Sequence, residues 1–206
     1  MVKIKVCGIT NEADALAAVD LGTDALGFIF YRGSPRYVMP SVVREIVSLL
    51  PPFVTTVGVF VNEDIDKVNS IINFCRLTAV QLHGEEPPFY CEKLEARIIK
   101  AFRMKNAAVL QNLKNYKKVA AFLLDSYDEA QLGGTGGTFD LRLAIKAKEF
   151  DTPIIVSGGL SKSNIRKVIK RVKPYAVDVN SGVEISPGKK DYQKMAEFIK
   201  IVRSIK

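Results

Sequence analysis

The sequence predicts an α/β fold, a single-domain (β/α)8 barrel that spans residues 1–206. Two observations support this prediction. Short apolar runs alternate with helical patterns eight times along the chain, as βα units do. The runs are rich in Val, Ile and Phe without strict alternation, which is typical of parallel strands buried on both faces. A doubly wound open sheet is the alternative, but it would need fewer strands, and no GxGxxG segment follows the first run.

Each predicted element rests on its own segment. The eight strands are predicted at residues 2–7, 25–31, 55–61, 79–82, 98–103, 120–125, 153–157 and 176–180. Helices are predicted at residues 12–21, 40–50, 65–75, 88–94, 107–115, 141–148, 165–172 and 195–205. In the longer helices the apolar residues repeat at helical spacing, so one face of each is directed at the strands. Because 206 residues is near the lower limit for this barrel, most loops are expected to be short.

Composition and charge indicate a soluble protein in a reducing, cytoplasmic setting. The net charge is +8, and residues 162–206 carry all of that excess. Solvated helix faces are the simpler explanation, and steering of an anionic ligand is the functional one. No basic run is interleaved with aromatic residues and no apolar stretch could span a bilayer, so neither a nucleic-acid nor a membrane partner is expected. Cys7, Cys75 and Cys91 are widely spaced, which argues against a disulfide framework and a zinc site.

Two predicted strands end in residues suited to proton transfer. Cys7 ends the first run, just before Gly8, and Asp125 ends the sixth. In a (β/α)8 barrel the active site lies at the carboxyl ends of the strands. A thiol and a carboxyl at two such ends would therefore face each other across the barrel mouth as a base and an acid. From position alone, Cys7 could also be a small core residue and Asp125 a turn or helix-capping residue.

Glycine-containing segments after the last two strands predict a phosphate site. Gly158 and Gly159 follow the seventh run and would let backbone N–H groups approach an anion closely. Ser181, Gly182 and Val183 follow the eighth run and could begin a short helix whose N-terminus is directed at the same anion. The loops after strands seven and eight are the usual phosphate site of such barrels.

The sequence leaves the roles of three other polar residues open. Asp178 lies within the eighth run and is either a ligand contact or a buried structural carboxylate. Arg36 follows a Ser-Pro turn after the second run and is either a surface residue or a site residue. His83, the only histidine, is expected to be structural or to line the pocket. The glycine-rich loop at residues 133–137 is either a lid or a flexible connection.

An ordered set of motifs resembles the phosphoribosylanthranilate isomerase family of tryptophan biosynthesis. The set covers nearly the whole chain in order, so it is far more specific than any one motif. The motifs are residues 5–10 (KVCGIT), 27–30 (GFIF), 34–37 (SPRY), 58–62 (GVFVN), 80–85 (VQLHGE), 124–125 (LD), 134–136 (GTG), 138–140 (TFD), 157–160 (SGGL), 177–184 (VDVNSGVE) and 187–191 (PGKKD).

The resemblance implies an Amadori rearrangement. The family converts N-(5-phosphoribosyl)anthranilate to 1-(2-carboxyphenylamino)-1-deoxyribulose 5-phosphate, with a Cys as general base and an Asp as general acid. These roles correspond here to Cys7 and Asp125, and Arg36 is expected near the anthranilate carboxylate, which a guanidinium can pair with bidentately. Ring opening needs a protonated carboxyl, and proton removal needs a thiolate, so basic neighbours are expected around Cys7. The protonated Schiff base is itself the electron sink, so neither a metal nor a cofactor is expected.

The partner that the resemblance implies is a small phosphoribosyl substrate, and the sequence leaves open whether the chain is a monomer or a homodimer. One alternative function is another phosphosugar isomerase or epimerase on the same barrel. The other is a non-catalytic binder of phosphorylated or nucleic-acid ligands, suggested by the basic final quarter of the chain. A single histidine argues against metal–histidine chemistry in the first alternative. Salt-dependent retention on DNA would favour the second.

Overall fold

Eight parallel strands form a closed barrel in the computed structural model of the protein, which describes residues 1–126 and 141–205. Neighbouring strands follow the chain order, and β1 closes the barrel by pairing with β8. The strands are β1 (Lys3–Cys7), β2 (Ala25–Ile29), β3 (Thr55–Phe60), β4 (Ala79–Leu82), β5 (Arg97–Met104), β6 (Ala121–Ser126), β7 (Ile154–Val156) and β8 (Ala176–Val179). The (β/α)8 barrel that the sequence predicts is confirmed, and the open sheet is not formed.

A helix follows each strand. The helices are α1 (Glu12–Asp20), α2 (Pro40–Leu49), α3 (Ile65–Cys75), α4 (Pro88–Glu92), α5 (Val109–Leu113), α6 (Leu141–Ala147), α7 (Ile165–Val172) and α8 (Tyr192–Arg203). The helix predicted at 107–115 is shorter because a turn precedes it, in which Asn106 accepts a hydrogen bond from the backbone N–H of Ala108. None of the described helices is long and apolar enough to cross a membrane.

The longer helices begin where the sequence places a capping residue. The side chain of Asn11 accepts a hydrogen bond from the backbone N–H of Asp14, and Asp191 does the same for Lys194. Pro40 stands in the first turn of α2, where its missing N–H is not needed. These local signals position each helix after its strand, so the following strand returns parallel to the first.

Side chains on the strands alternate between two environments. One set faces the helices and forms the large core, with Phe28 and Phe122 among its fully buried members. The other set points into the barrel, where alanines and aliphatic residues form a second, smaller core; its members are Ile99, Ala101, Ala121, Leu123, Ile155 and Ala176. The same alternation directs Lys5, Gln81 and Asp178 into the barrel. A polar layer therefore lies directly beneath the mouth formed by the strands' carboxyl ends.

A carboxylate joins the two ends of the chain at the opposite end of the barrel. Asp24 accepts hydrogen bonds from the Lys3 ammonium at 2.8 Å, the Ile4 backbone N–H at 2.8 Å and the Arg203 guanidinium at 2.7 Å. Partial burial alone would raise the pKa of Asp24, but these donors lower it below its usual range. The cluster ties α8 to β1 and contributes to stability rather than to a site.

Candidate active site

The structure brings the predicted acid and base to the same mouth. Cys7 is the last residue of β1 and is 5% exposed, while Asp125 lies near the end of β6, on the far side of the barrel from β1. Asp178 lies between them on β8 and is close enough to act electrostatically on both. The positions of Cys7 and Asp125 are those expected from their strand ends.

Burial dominates the environment of the Cys7 thiol. It raises the pKa of Cys7, and the nearby Lys5 and Lys190 ammonium groups lower it by less, so the net direction is upward. The basic neighbours expected from the chemistry are therefore present, but they only offset part of the desolvation. The thiol is the favoured form of Cys7 in this environment.

Lys5 is the centre of the polar layer inside the barrel. Its ammonium donates to Gln81 Oε1 at 2.8 Å and to Asp178 Oδ2 at 3.0 Å. Burial alone would lower the pKa of Lys5, but the Asp178 and Cys7 charges raise it, so the ammonium stays protonated. The second carboxylate oxygen, Asp178 Oδ1, is buried and has no donor among the described residues. This acceptor is the one unsatisfied polar atom of the layer within the part of the chain that the structure describes.

His83 lies directly against the predicted acid. Its Nε2 is 3.2 Å from Asp125 Oδ2, and its Nδ1 is 2.8 Å from Gln81 Nε2. His83 follows β4 directly and is two residues after Gln81. Because side chains two residues apart in extended chain point the same way, both point into the mouth. The expectation that His83 lines the pocket agrees with this placement.

Arg36 is held by a carboxylate that was not among the sequence candidates. Its Nε and Nη2 atoms donate to Glu184 at 2.7–3.1 Å, and Lys190 Nζ donates to the same carboxylate at 2.9 Å. Burial would raise the pKa of Glu184, but Arg36 and Lys190 lower it. The Nη1 edge of Arg36 makes no hydrogen bond to the described residues and is free to pair with an anion. Glu184 and Lys190 both lie in the last two motifs of the sequence, at 177–184 and 187–191, and this position could have identified them as candidate site residues.

The loops after β7 and β8 pack against each other. Gly158 and Gly159 adopt positive φ values of 84° and 60°, a conformation that disfavours side chains. A Cβ on Gly182 would overlap the carbonyl oxygen of Leu160, so only glycine allows the two loops this approach. Outside the helices and strands, no acceptor among the described residues binds the N–H of Gly158, Gly159 or Gly182. Three adjacent N–H donors suit an anion.

The short helix predicted after β8 is a single 3-10 turn, Ser181–Val183. A single turn is too short to supply much of a helix dipole. The Val183 N–H also donates to the Asn180 carbonyl within the turn, so it is not available to an anion. Any anion binding there depends on individual N–H groups. The glycine-rich loop at 133–137 and the motifs at 134–136 and 138–140 lie outside the described residues.

Cys75 and Cys91 are buried on α3 and α4. Burial raises the pKa of each thiol to about 11. Among the described residues, no group of three His, Cys, Asp or Glu side chains could hold a metal ion.

Comparison with known proteins supplies the family. The sequence matches the family model described as N-(5'phosphoribosyl)anthranilate (PRA) isomerase over residues 4–201. It is 52% identical over 200 residues to the N-(5'-phosphoribosyl)anthranilate isomerase of Geobacter metallireducens, covering 97% of this chain and 98% of that one.

Two solved structures superpose over the full length of both chains. One is a phosphoribosyl anthranilate isomerase in complex with reduced 1-(o-carboxyphenylamino)-1-deoxyribulose 5-phosphate, with a TM-score of 0.90 and 42% identity. The other is described as monomers of the dimeric phosphoribosylanthranilate isomerase from Thermotoga maritima, with a TM-score of 0.90 and 40% identity.

Proposed function

The chain belongs to the N-(5'-phosphoribosyl)anthranilate isomerase family, and from this premise we propose that it rearranges N-(5-phosphoribosyl)anthranilate to 1-(2-carboxyphenylamino)-1-deoxyribulose 5-phosphate in tryptophan biosynthesis. The observation that carries the proposal is the placement of Cys7 and Asp125 at the ends of strands on opposite sides of one mouth. Glycine-containing loops with free N–H groups lie at the same mouth.

Asp125 is the proposed general acid. Its proton passes to the furanose ring oxygen, the bond between that oxygen and C1 breaks, and the anilino nitrogen supplies the electron pair that forms a protonated Schiff base. His83 Nε2 lies at 3.2 Å from Oδ2, which leaves Oδ1 as the oxygen directed at the substrate. Asp125 leaves this step as a carboxylate.

Cys7 is the proposed general base. Its thiolate takes the proton from C2 of the sugar, and the electrons of that C–H bond move toward the iminium nitrogen and form an enolamine. The enolamine then becomes the ketone as a proton leaves the C2 hydroxyl and another adds to C1. C1 is reduced and C2 oxidised within one molecule, so no external oxidant or reductant enters. Because burial raises the pKa of Cys7, the reactive thiolate is the minor form, and the Lys5 and Lys190 charges support it.

Asp178 is the proposed partner of a sugar hydroxyl. Oδ2 is occupied by Lys5, whereas the buried Oδ1 has no donor among the described residues. A buried acceptor without a donor is costly, and a substrate hydroxyl would satisfy it. This supports a ligand contact in addition to the structural pairing with Lys5.

The two anionic ends of the substrate match two cationic or N–H-rich regions. The Nη1 edge of Arg36 would pair with the anthranilate carboxylate, and Glu184 orients the guanidinium for it. The phosphate would bind the backbone N–H groups of Gly158, Gly159 and Gly182, and the turn that contains Ser181 and Val183 would shape the same site.

The experiment is a fluorescence assay at low salt that follows loss of phosphoribosylanthranilate made in situ. We expect Cys7→Ala and Asp125→Asn each to lower turnover by at least ~100-fold, in line with general acid–base contributions. Cys75→Ala and Asp20→Asn remove a buried thiol and an exposed carboxyl elsewhere, and we expect them to leave turnover unchanged.

The result decides between the proposal and its rivals. Near-wild-type turnover in Cys7→Ala or Asp125→Asn would remove the role assigned to that residue. A folded wild-type chain with no activity on verified substrate would overturn the isomerase assignment and favour another phosphosugar isomerase or epimerase, or a non-catalytic binder.

We also propose that residues 1–206 form one domain, in a cytoplasmic setting, that assembles as a homodimer. Closure of the barrel by β1 and β8 supports a single domain. A similar solved structure is described as monomers of a dimeric isomerase, which supports a homodimer. Light scattering should then give twice the chain mass of 22.8 kDa.

A further inference from the structure

Five side chains form a hydrogen-bonded row across the inside of the barrel. The row runs from Asp178 on β8 through Lys5 on β1 and Gln81 on β4 to His83 and Asp125. The successive distances are 3.0, 2.8, 2.8 and 3.2 Å. The proposed mechanism uses both ends of this row and leaves Gln81, at its centre, without a role.

The donor and acceptor properties of the row determine its directions. A lysine ammonium has three donors and no acceptor, so the Gln81 atom at 2.8 Å from Lys5 must be the carbonyl oxygen. The amide NH₂ of Gln81 therefore faces His83, because the two ends of the amide point to different partners. An NH₂ group can only donate, so His83 Nδ1 must accept and carries no proton. The neutral ring then has its proton on Nε2.

This tautomer determines what Asp125 meets. Nε2–H donates to Asp125 Oδ2, which can accept whether or not the carboxyl is protonated on Oδ1. In the opposite tautomer, an unprotonated Nε2 would compete for the acidic proton. An imidazolium would instead hold Asp125 as a carboxylate. In the Nε2–H tautomer, Oδ2 accepts from the ring, and Oδ1 is the oxygen from which a proton can be donated to the substrate.

We propose that Gln81 is a positioning residue, which holds His83 neutral in the Nε2–H tautomer so that Asp125 presents its proton to the substrate. This inference rests on the proposed role of Asp125 as the acid. Among the described residues, the Gln81 side chain hydrogen-bonds to Lys5 and His83 and not to Cys7 or Asp125, so it acts through the ring.

The charged groups around the ring are few among the described residues. Asp125 faces Nε2 from β6, and the Lys5–Asp178 pair lies behind Gln81 on β1 and β8. On β5, Arg103 is in register with Asp125 and is exposed. No other described side chain forms a hydrogen bond to the ring. Gln81 is therefore the group that decides whether Nδ1 is protonated.

The single histidine makes a direct test possible, because ¹⁵N NMR of the ring needs no assignment. At pH 7 we expect the wild-type ring to be neutral, with a protonated Nε2 and an unprotonated Nδ1. A ring protonated on Nδ1, or on both nitrogens, would overturn the proposal whatever the enzyme's activity.

Gln81→Glu provides the perturbation. It replaces the NH₂ with a carboxylate oxygen that accepts a proton from Nδ1, so we expect the ring titration to move to higher pH. The resulting imidazolium would hold Asp125 ionised. We therefore expect kcat to fall at least about 100-fold, the size of a lost acid contribution, with KM changed less than about threefold.

Gln111→Glu makes the same change at an exposed position on α5 and should alter neither the ring nor kcat. A Gln81→Glu protein whose ring state and kcat match those of Gln111→Glu would contradict the proposal. If Gln81→Glu does not fold, the wild-type spectrum still decides. An inactive wild type with the expected ring would instead count against the proposed function, and the two failures are thus distinguishable.

Discussion

Two buried lysine–carboxylate pairs lie on opposite sides of the barrel wall. Lys5 and Asp178 point into the barrel, and Lys100 and Glu86 lie between the sheet and the helices; each lysine is at most 3% exposed. Their ion-pair distances are the same, 3.0 Å. The pairs differ in how completely the described residues around them satisfy the carboxylate oxygens.

The outer pair is satisfied by its own neighbourhood. Lys100 donates to Glu86 and to the carbonyl oxygens of Leu82, Gly84 and Ala101. Both oxygens of Glu86 accept further backbone donors from Asn62 and Gly84. A buried charge cluster with every oxygen bonded holds the loop after β4 in place, and it needs no ligand.

Among the described residues, the inner pair is less fully hydrogen-bonded than the outer one. Lys5 joins Asp178 to Gln81, yet Asp178 Oδ1 has no donor in the described part of the chain. An unsatisfied buried oxygen costs stability unless a ligand group binds it. We propose that the two pairs, although equal in ion-pair distance, differ in role because the inner one retains a buried oxygen, Asp178 Oδ1, without a donor among the described residues.

The largest expected effect tests the outer pair. Lys100→Met leaves Glu86 buried without its cation, so we expect the free energy of unfolding to fall by about 3–5 kcal/mol in urea titrations. Turnover per folded molecule should stay within about threefold of wild type. Lys114→Met, at an exposed site, is the control and should cost less than about 0.5 kcal/mol. Equal free energies of unfolding for the two variants would contradict the structural role of the outer pair.

A smaller effect is expected for the inner pair, and it should appear in catalysis. Asp178→Asn weakens the acceptor proposed to bind a substrate hydroxyl. Hydrogen bonds to charged groups contribute about 1.5–3 kcal/mol, so kcat/KM should fall roughly 10- to 100-fold. Steady-state kinetics measures kcat/KM, with Asp20→Asn, a change at an exposed carboxyl, as the control. Unchanged kcat/KM in Asp178→Asn would assign this pair a purely structural role, like the outer one.

The smallest effect is expected at Asp24, whose ion pairs with Lys3 and Arg203 are partly exposed to solvent. Asp24 has a lowered pKa, so its stabilisation is present above the unfolded value of about 3.9 and is lost as the pH falls through its folded pKa. Because the pair is screened by water, we expect Asp24→Asn to cost at most about 1 kcal/mol at pH 7. Unfolding titrations at pH 7 and pH 3 should show the cost disappearing in acid; a constant cost would contradict the linkage.

Much of the fold and the outline of the site could be predicted from the sequence. Eight apolar runs with helical patterns between them led to the barrel, and the rule that sites lie at strand ends led to Cys7 and Asp125. The helix at 107–115 was predicted too long, because hydrophobic periodicity does not register a local turn such as the one at Asn106. Glu184 and Lys190 were missed as partners of Arg36, although both lie in recognised motifs.

The order of strands and helices, and the residues at the strand ends, could be read from the sequence alone. These features depend on spacing along the chain, which local propensity and hydrophobic periodicity encode. Which polar side chains form hydrogen bonds with one another depends on the tertiary structure. Lys5 bonds to Gln81 and Asp178, which are 76 and 173 residues away in sequence. Such contacts exist because closure of the barrel brings β1, β4 and β8 around one interior, and no local pattern records which side chains then meet.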